Sequence, residues 1–328
     1  MRLIDLVETS VELGTALDPR GPEALRAQME RRRREYEALP AWQQPYYNRE
    51  RFRNPFGDVR IANGPAETEL RAVLLGIDIH LAEILLADRL RAAGTPIDAV
   101  IAHHAHGIGA SPFLSWDSMS VMVDMLAAEG VPRADAEASI HPYIEEKIAQ
   151  QEDFHRIGPD TARLLGFPLA CIHTPADYYI TVGVRAALDA GGVDAASSVG
   201  DVVRALLTLP EVDSSARLGA APRIMTGEAS RPAGRLLLKF GGGYILPPSA
   251  YPLLGKAGVG TVVQIACLPE HARAAREAGV TIVRVPHAAA DNIGINLLLD
   301  AVEARRGPLP VIACGAFERI SRRTPSGS

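Results

Sequence analysis

Three short stretches of this chain set histidine and aspartate at spacings that suit a metal ion. They read IAHHAHG, with His103, His104 and His106; CIHTPAD, with His173 and Asp177; and PHAAADNIG, with His287 and Asp291. The chain has nine histidines and these stretches hold five of them, so composition alone does not explain the clustering. A weaker fourth stretch, LGIDIH, adds Asp78 and His80. Imidazole and carboxylate gathered without thiolate suit Zn, Mn or Fe. The chemistry such a group supports is metal-dependent hydrolysis.

Each stretch also has a plainer reading. His103 and His104 are neighbours at the end of an apolar run. Neighbours on a strand point to opposite faces, so both can serve one site only where the backbone turns, and Gly107 and Gly109 permit a turn. His106 reads as a loop residue or a supporting partner before it reads as a ligand. In HTPAD, Thr174 can be an N-cap with Pro175 at N1, which puts Asp177 at N3 where it could complete a capping arrangement. Asp291 or Asn292 could likewise cap the helix IGINLLLDAVEAR. His287, at a strand end after Pro286, is harder to explain by packing. Asp78 ends VLLGID and reads as a strand-end turn residue or a supporting partner. GKAGVGT lacks phosphate-loop spacing, KFGGGY reads as a plain turn before it reads as a phosphate-facing loop, and no G-x-S-x-G occurs.

The elements that must position these residues alternate strand and helix. RAVLLGIDI reads as a strand, HLAEILLADRLRAAG as a helix stopped by Gly94, and IDAVIAHH as a strand. Late in the chain GTVVQIAC, LPEHARAAREAG and VTIVRVPH repeat that grammar and again end on a histidine. The pattern predicts an α/β fold with two similar strand–helix–strand halves forming a cleft. The metal-binding core spans 66–110 and 166–315, a helical insertion covers 111–165, and a flexible tail covers 316–328. Residues 1–65 read as an appended helical arm and extended segment, with the run Arg31–Arg34 as a solvated basic face.

The 328 residues carry a net charge of −5, with 47% hydrophobic, 22% charged and 5% aromatic content, which gives no strong nucleic-acid or membrane signal. Three scattered cysteines fit a reducing cytoplasm. Asp5, Glu8 and Glu12 are out of place in a secretory leader. The longest uncharged run, Ala99 to Trp116, includes three histidines, two glycines and a proline and is no membrane span.

In these residues the chain resembles the NGG-interacting factor three-like family, known also as GTP cyclohydrolase I type 2 homologues. Members carry a strand ending in His-His, usually followed by Pro; a later His-Thr-x-x-Asp; and a C-terminal His-x-x-x-Glu. Here the first is His103–His104 followed by Ala105, the second is intact as His173, Thr174 and Asp177, and the third is His287 with Asp291 where Glu is usual. The resemblance is clear over 71–107, 168–190 and 280–302, and faint over 1–65 and 111–165. It implies an α/β fold of two similar halves, two divalent metal ions, a homo-oligomer, and His103, His104, Asp177, His287 and Asp291 as ligands.

The sequence therefore predicts a cytoplasmic, dinuclear metal-dependent hydrolase acting on a small molecule, with a nucleotide or purine ring suggested by the family. His106 or His173 would move the proton. A non-catalytic metal-binding interaction or regulatory protein is the alternative. A third reading takes His104 and His106 as the H-x-H pair of an amidohydrolase-like site.

Overall fold

The computed structural model describes residues 1–150 and 155–323. Helices α1 (Leu3–Leu17) and α2 (Gly21–Ala38) lead to strand β1 (Val59–Asn63). Then come β2 (Val73–Gly76), α3 (Leu81–Ala92) and β3 (Ala99–Ala102). A helical stretch follows: α4 (Pro112–Met119), α5 (Val121–Ala128), α6 (Arg133–Gln150) and α7 (Ile157–Leu164). Strand β4 (Leu169–Ile172) enters α8 (His173–Ala190), followed by α9 (Val199–Leu206) and α10 (Pro210–Arg217). The chain closes with β5 (Arg223–Thr226), β6 (Arg235–Lys239), α11 (Ala250–Lys256), β7 (Val259–Gln264), α12 (Pro269–Glu277), β8 (Thr281–Arg284), α13 (His287–Arg306) and β9 (Val311–Cys314).

The strands form two sheets, ordered β1-β4-β3-β2-β9 and β5-β8-β7-β6. In each, the first strand is antiparallel to its neighbour and the remainder are parallel. Strands β2, β3 and β4 are buried throughout, which is why they read as unbroken apolar runs and not as alternating ones. Helices α8 and α13 lie between the sheets. Ala176 and Tyr178 of α8 and Leu298 and Leu299 of α13 pack on Leu75, Ile101 and Ile172 of the first sheet. Ile180 and Val184 of α8 and Ala290 and Ile293 of α13 pack on Leu238, Val263 and Val283 of the second. The outer face of the first sheet is covered by α3 and α7, and that of the second by α5, α6, α11 and α12.

The shared strand order matches β2, β3 and β4 with β6, β7 and β8. The counterpart of the strand before His287 is thus the strand before His173, whereas the sequence pairs it with the strand ending at His103. The sequence comparison slips by one strand because generic strand–helix–strand units look alike.

Several expectations are corrected. The N-terminal region is not an appendage: Leu3, Leu6, Val7 and Leu13 of α1 belong to the main core, and β1 is an edge strand of the first sheet. In the Arg31–Arg34 run, Arg32 is buried and ion-paired with Asp117, while its neighbours stay exposed. Residues 316–323 are held down, with Glu318 N–H donating to Asn292 at 2.6 Å and Arg322 paired with Glu211 at 2.6 Å. The rest of the expected tail, 324–328, lies outside the described residues.

Candidate metal centre

Three elements deliver the site, each at the carboxyl end of a parallel strand, where open α/β sheets place ligands. The chain bends just beyond β3 and sets the His103 and His104 rings 4.9 Å apart. Helix α8 starts at His173, directly after β4, and α13 starts at His287, two residues after β8.

The capping explanations for the aspartates fail on this geometry. The N-cap of α8 is Ile172, not Thr174, and that of α13 is Pro286. Thr174 instead donates its hydroxyl hydrogen to Asp58 at 2.8 Å. In both helices the histidine is the first helical residue and the aspartate lies one turn on. That i, i+4 spacing puts imidazole and carboxylate on one helix face. His173 Nε2 is 3.7 Å from Asp177 Oδ2, and His287 Nε2 is 3.5 Å from Asp291 Oδ2.

Asp291 faces two ways. Its Oδ1 lies 3.7 Å from His103 Nε2, while Oδ2 lies 3.8 Å from His104 Nε2 and beside His287. His103 Nε2 is also 3.5 Å from Asp177 Oδ1. Three overlapping sets of donor atoms result: His103, His104 and His173; His104, His287 and Asp291; and His103, Asp177 and Asp291. Two ligands about 2.0–2.2 Å from one tetrahedral ion lie roughly 3.3–3.6 Å apart, close to the separations seen here. His103 is fully buried with neither ring nitrogen hydrogen-bonded, and Asp291 Oδ2 is likewise buried without a hydrogen-bond donor. Orphaned buried groups are costly, and a cation is the partner that imidazole and carboxylate lone pairs share. The residues fit a metal ion.

Two further aspartates orient the imidazoles. Asp58, just before β1, lies 2.9 Å from His173 Nδ1, and Asp78, just after β2, lies 2.6 Å from His104 Nδ1. With Nδ1 occupied, Nε2 of each ring is turned toward the cluster, the carboxylate–histidine pairing common around metals. The sequence treats Asp78 as a weak candidate and misses Asp58 entirely. A lone aspartate in an aperiodic stretch has no neighbouring ligand to flag it.

The electrostatics are those of a buried acidic cluster. Burial, with help from Asp58, raises the Asp177 carboxyl to about 6, against the opposing pull of His173. Burial and the nearby Asp177 charge hold Asp291 well above the carboxylate range. Burial would lower the His173 imidazole, but Asp177 and Asp58 outweigh it and raise it to about 10. Burial and the neighbouring His104 and His173 push His287 down to about 4. Lys239, which ends β6 inside KFGGGY, is also buried, within electrostatic reach of Asp177, and donates to the carbonyls of Gly241 and Tyr244.

The structure thus gathers His103, His104, His173, Asp177, His287 and Asp291. It does not bring in His106, which packs against Gly158 and lines a separate cavity with His80 and His155. A cavity of about 210 Å³ adjoins the cluster, with His104, His173 and Asp58 on one wall and Gly243 and Tyr244 on another.

Fold and site together define an α/β protein with a buried His/Asp cluster able to hold a metal ion. The chain is similar in structure to a NIF3 superfamily protein from Sphaerobacter thermophilus, with 27% identity, a TM-score of 0.70, and coverage of 95% of this chain and 97% of that one. Reduced HcgD from Methanocaldococcus jannaschii stands further off, at 11% identity and a TM-score of 0.49 over 78% of this chain and 89% of that one. A Bacillus cereus protein related to NIF3 matches at 12% identity and a TM-score of 0.38 over 79% and 91%. No protein-family model and no curated protein matches the chain. The likeness to the Sphaerobacter thermophilus protein supports the NIF3-like assignment that the three His/Asp motifs suggest. Among the described residues no helix is long and apolar enough to cross a membrane.

Proposed function

We propose that this protein is a dinuclear metal-dependent hydrolase acting on a small molecule. The observation that carries the reading is the two-sided Asp291 carboxylate, with His104 and His287 at one oxygen and His103 at the other. One ion would take His104, His287 and Asp291, and the other His103, Asp177 and Asp291, with Asp291 between them. His104 serves one ion only, since Asp78 occupies its other nitrogen. His173, held by Asp58 with Nε2 toward the cluster, becomes a further ligand in place of the proton-transfer role the sequence assigns it. A divalent ion at this position supplies Lewis acidity and acidifies water that reaches it.

The protein's own residues set the frame for that chemistry. Asp58 and Asp78 fix the tautomers of His173 and His104. Burial keeps His103 and Asp291 from bulk water. The adjoining cavity, about 210 Å³, falls below the roughly 300–1,000 Å³ of ordinary ligand sites. It admits a small substrate or the reacting end of a larger one, with the remainder outside. Hydrolysis of an amide, ester or phosphoester fits this frame, and the family resemblance adds ring opening of a purine nucleotide.

A hydrolysis screen of the metal-loaded chain over those substrate classes tests the reading. Turnover that disappears in His104→Ala is expected. Tight metal binding with no turnover on any class would favour the non-catalytic metal-binding protein instead.

A further inference from the structure

Another cavity lies away from the metal centre. It measures about 470 Å³ and sits between α2 and the helices α4 to α6, within the range of ordinary ligand sites. Five arginines and three carboxylates line it. Arg20, Arg31 and Arg133 each pair with a carboxylate of their own, Asp18, Glu35 and Asp124 respectively. At the buried end, Arg32 and Arg51 share Asp117. Arg51 takes both of its oxygens, at 2.8 and 2.9 Å. Arg32 Nη2 lies 2.8 Å from Asp117 Oδ1, already engaged by Arg51, and makes no hydrogen bond there. Among the described residues its Nη1 reaches only the Pro55 carbonyl, at 3.5 Å. Arg32 is 2% exposed. A buried guanidinium short of acceptors is costly, and an oxyanion in the cavity is the group that completes it. Trp116 and His141, with ring centroids 5.4 Å apart, supply an aromatic wall beside it.

We propose that this cavity binds a small phosphate-bearing molecule, with the phosphate at Arg32 and the organic part against Trp116 and His141. Nothing in the metal chemistry requires this site. The two sites share helix α4, which turns Trp116 and Asp117 to the basic cavity and Ser118 and Met119 to the cavity beside the metal centre.

The test uses fluorescence, because the chain has only two tryptophans and the other, Trp42, is exposed. Full-length Trp42→Phe protein is stripped of metal and titrated with phenyl phosphate, with phenol as the uncharged control. A saturable change in Trp116 emission with half-saturation below about 1 mM is expected, and none with phenol. Arg32→Gln should weaken binding more than about tenfold. Arg133→Gln, at the exposed rim, should weaken it by roughly threefold without disturbing the fold, and decides the matter if the Arg32 variant does not fold. Asp177→Ala should leave binding unchanged. Absence of saturation, an equal response to phenol, indifference to Arg133→Gln, or loss in Asp177→Ala would overturn the proposal.

Discussion

Two histidines in the cluster, His173 and His104, are oriented by the carboxylate at their second nitrogen, and for His173 protonation follows from that. His173, between Asp58 and Asp177, holds its proton up to about pH 10 in the metal-free protein. Its raised value stabilises the metal-free fold fully below its ordinary 6.5, and that contribution is lost as pH rises through about 10. A metal ion must displace this proton, so metal binding should release protons at pH 8 and tighten as pH rises toward 10. Calorimetry in two buffers of different ionisation heat measures the release; none at pH 8 would contradict the assignment of His173. His106 is placed elsewhere, so His106→Ala should keep its full metal content by elemental analysis, whereas Asp291→Ala should lose most of it. Equal loss in both would restore His104 and His106 as a ligand pair. The clustered histidines and aspartates were legible because they fall in compact motifs. Asp58 was not, since its partner lies 115 positions later and only folding joins them.

The helices α8 and α13 turn motifs into geometry. Each opens on a histidine with an aspartate one turn later, and each crosses the other closely. A Cβ at Gly294 would collide with the Ala176 carbonyl oxygen, and one at Gly183 would lie 2.5 Å from Ile293. These glycines let the helices approach, and the approach brings Asp177 and Asp291 into the same cluster. Gly294→Ala should therefore cost about 1–3 kcal/mol of stability, as overpacking does. It should also weaken metal binding although it touches no ligand. Chemical denaturation and metal titration measure the two effects, and a stable variant of unchanged affinity would show that the helix spacing is not critical. The sequence signals that α8 and α13 exist but misplaces their starts. Thr174 and Asp291 have the chemistry of caps, and their tertiary partners, Asp58 and the cluster, outcompete the helix ends.

At the scale of the molecule the proposed ligands come from the turn after β3 and from α8 and α13, joined across two sheets, so a bound metal would be linked to the fold. Metal at about a thousand times its dissociation constant should add roughly 4 kcal/mol to stability. A chelator should lower the melting temperature of the wild type and leave Asp291→Ala unmoved. The α/β class was readable from alternating apolar runs and helical stretches. The sheet order was not, because β1 comes from a region that reads as an appendage and β9 from the far end, and pairing across such distances leaves no local periodicity. The buried Arg32 was hidden for a similar reason, since a basic run looks solvated until Asp117 from another helix meets it. We propose that the His/Asp cluster around Asp291 would hold a pair of divalent ions. Anomalous diffraction from crystals grown with zinc tests it most directly. Two peaks about 3.5–4 Å apart are expected, one beside His104 and His287 and one beside His103 and Asp177. No peak within reach of Asp291, with zinc bound elsewhere on the chain, would contradict it.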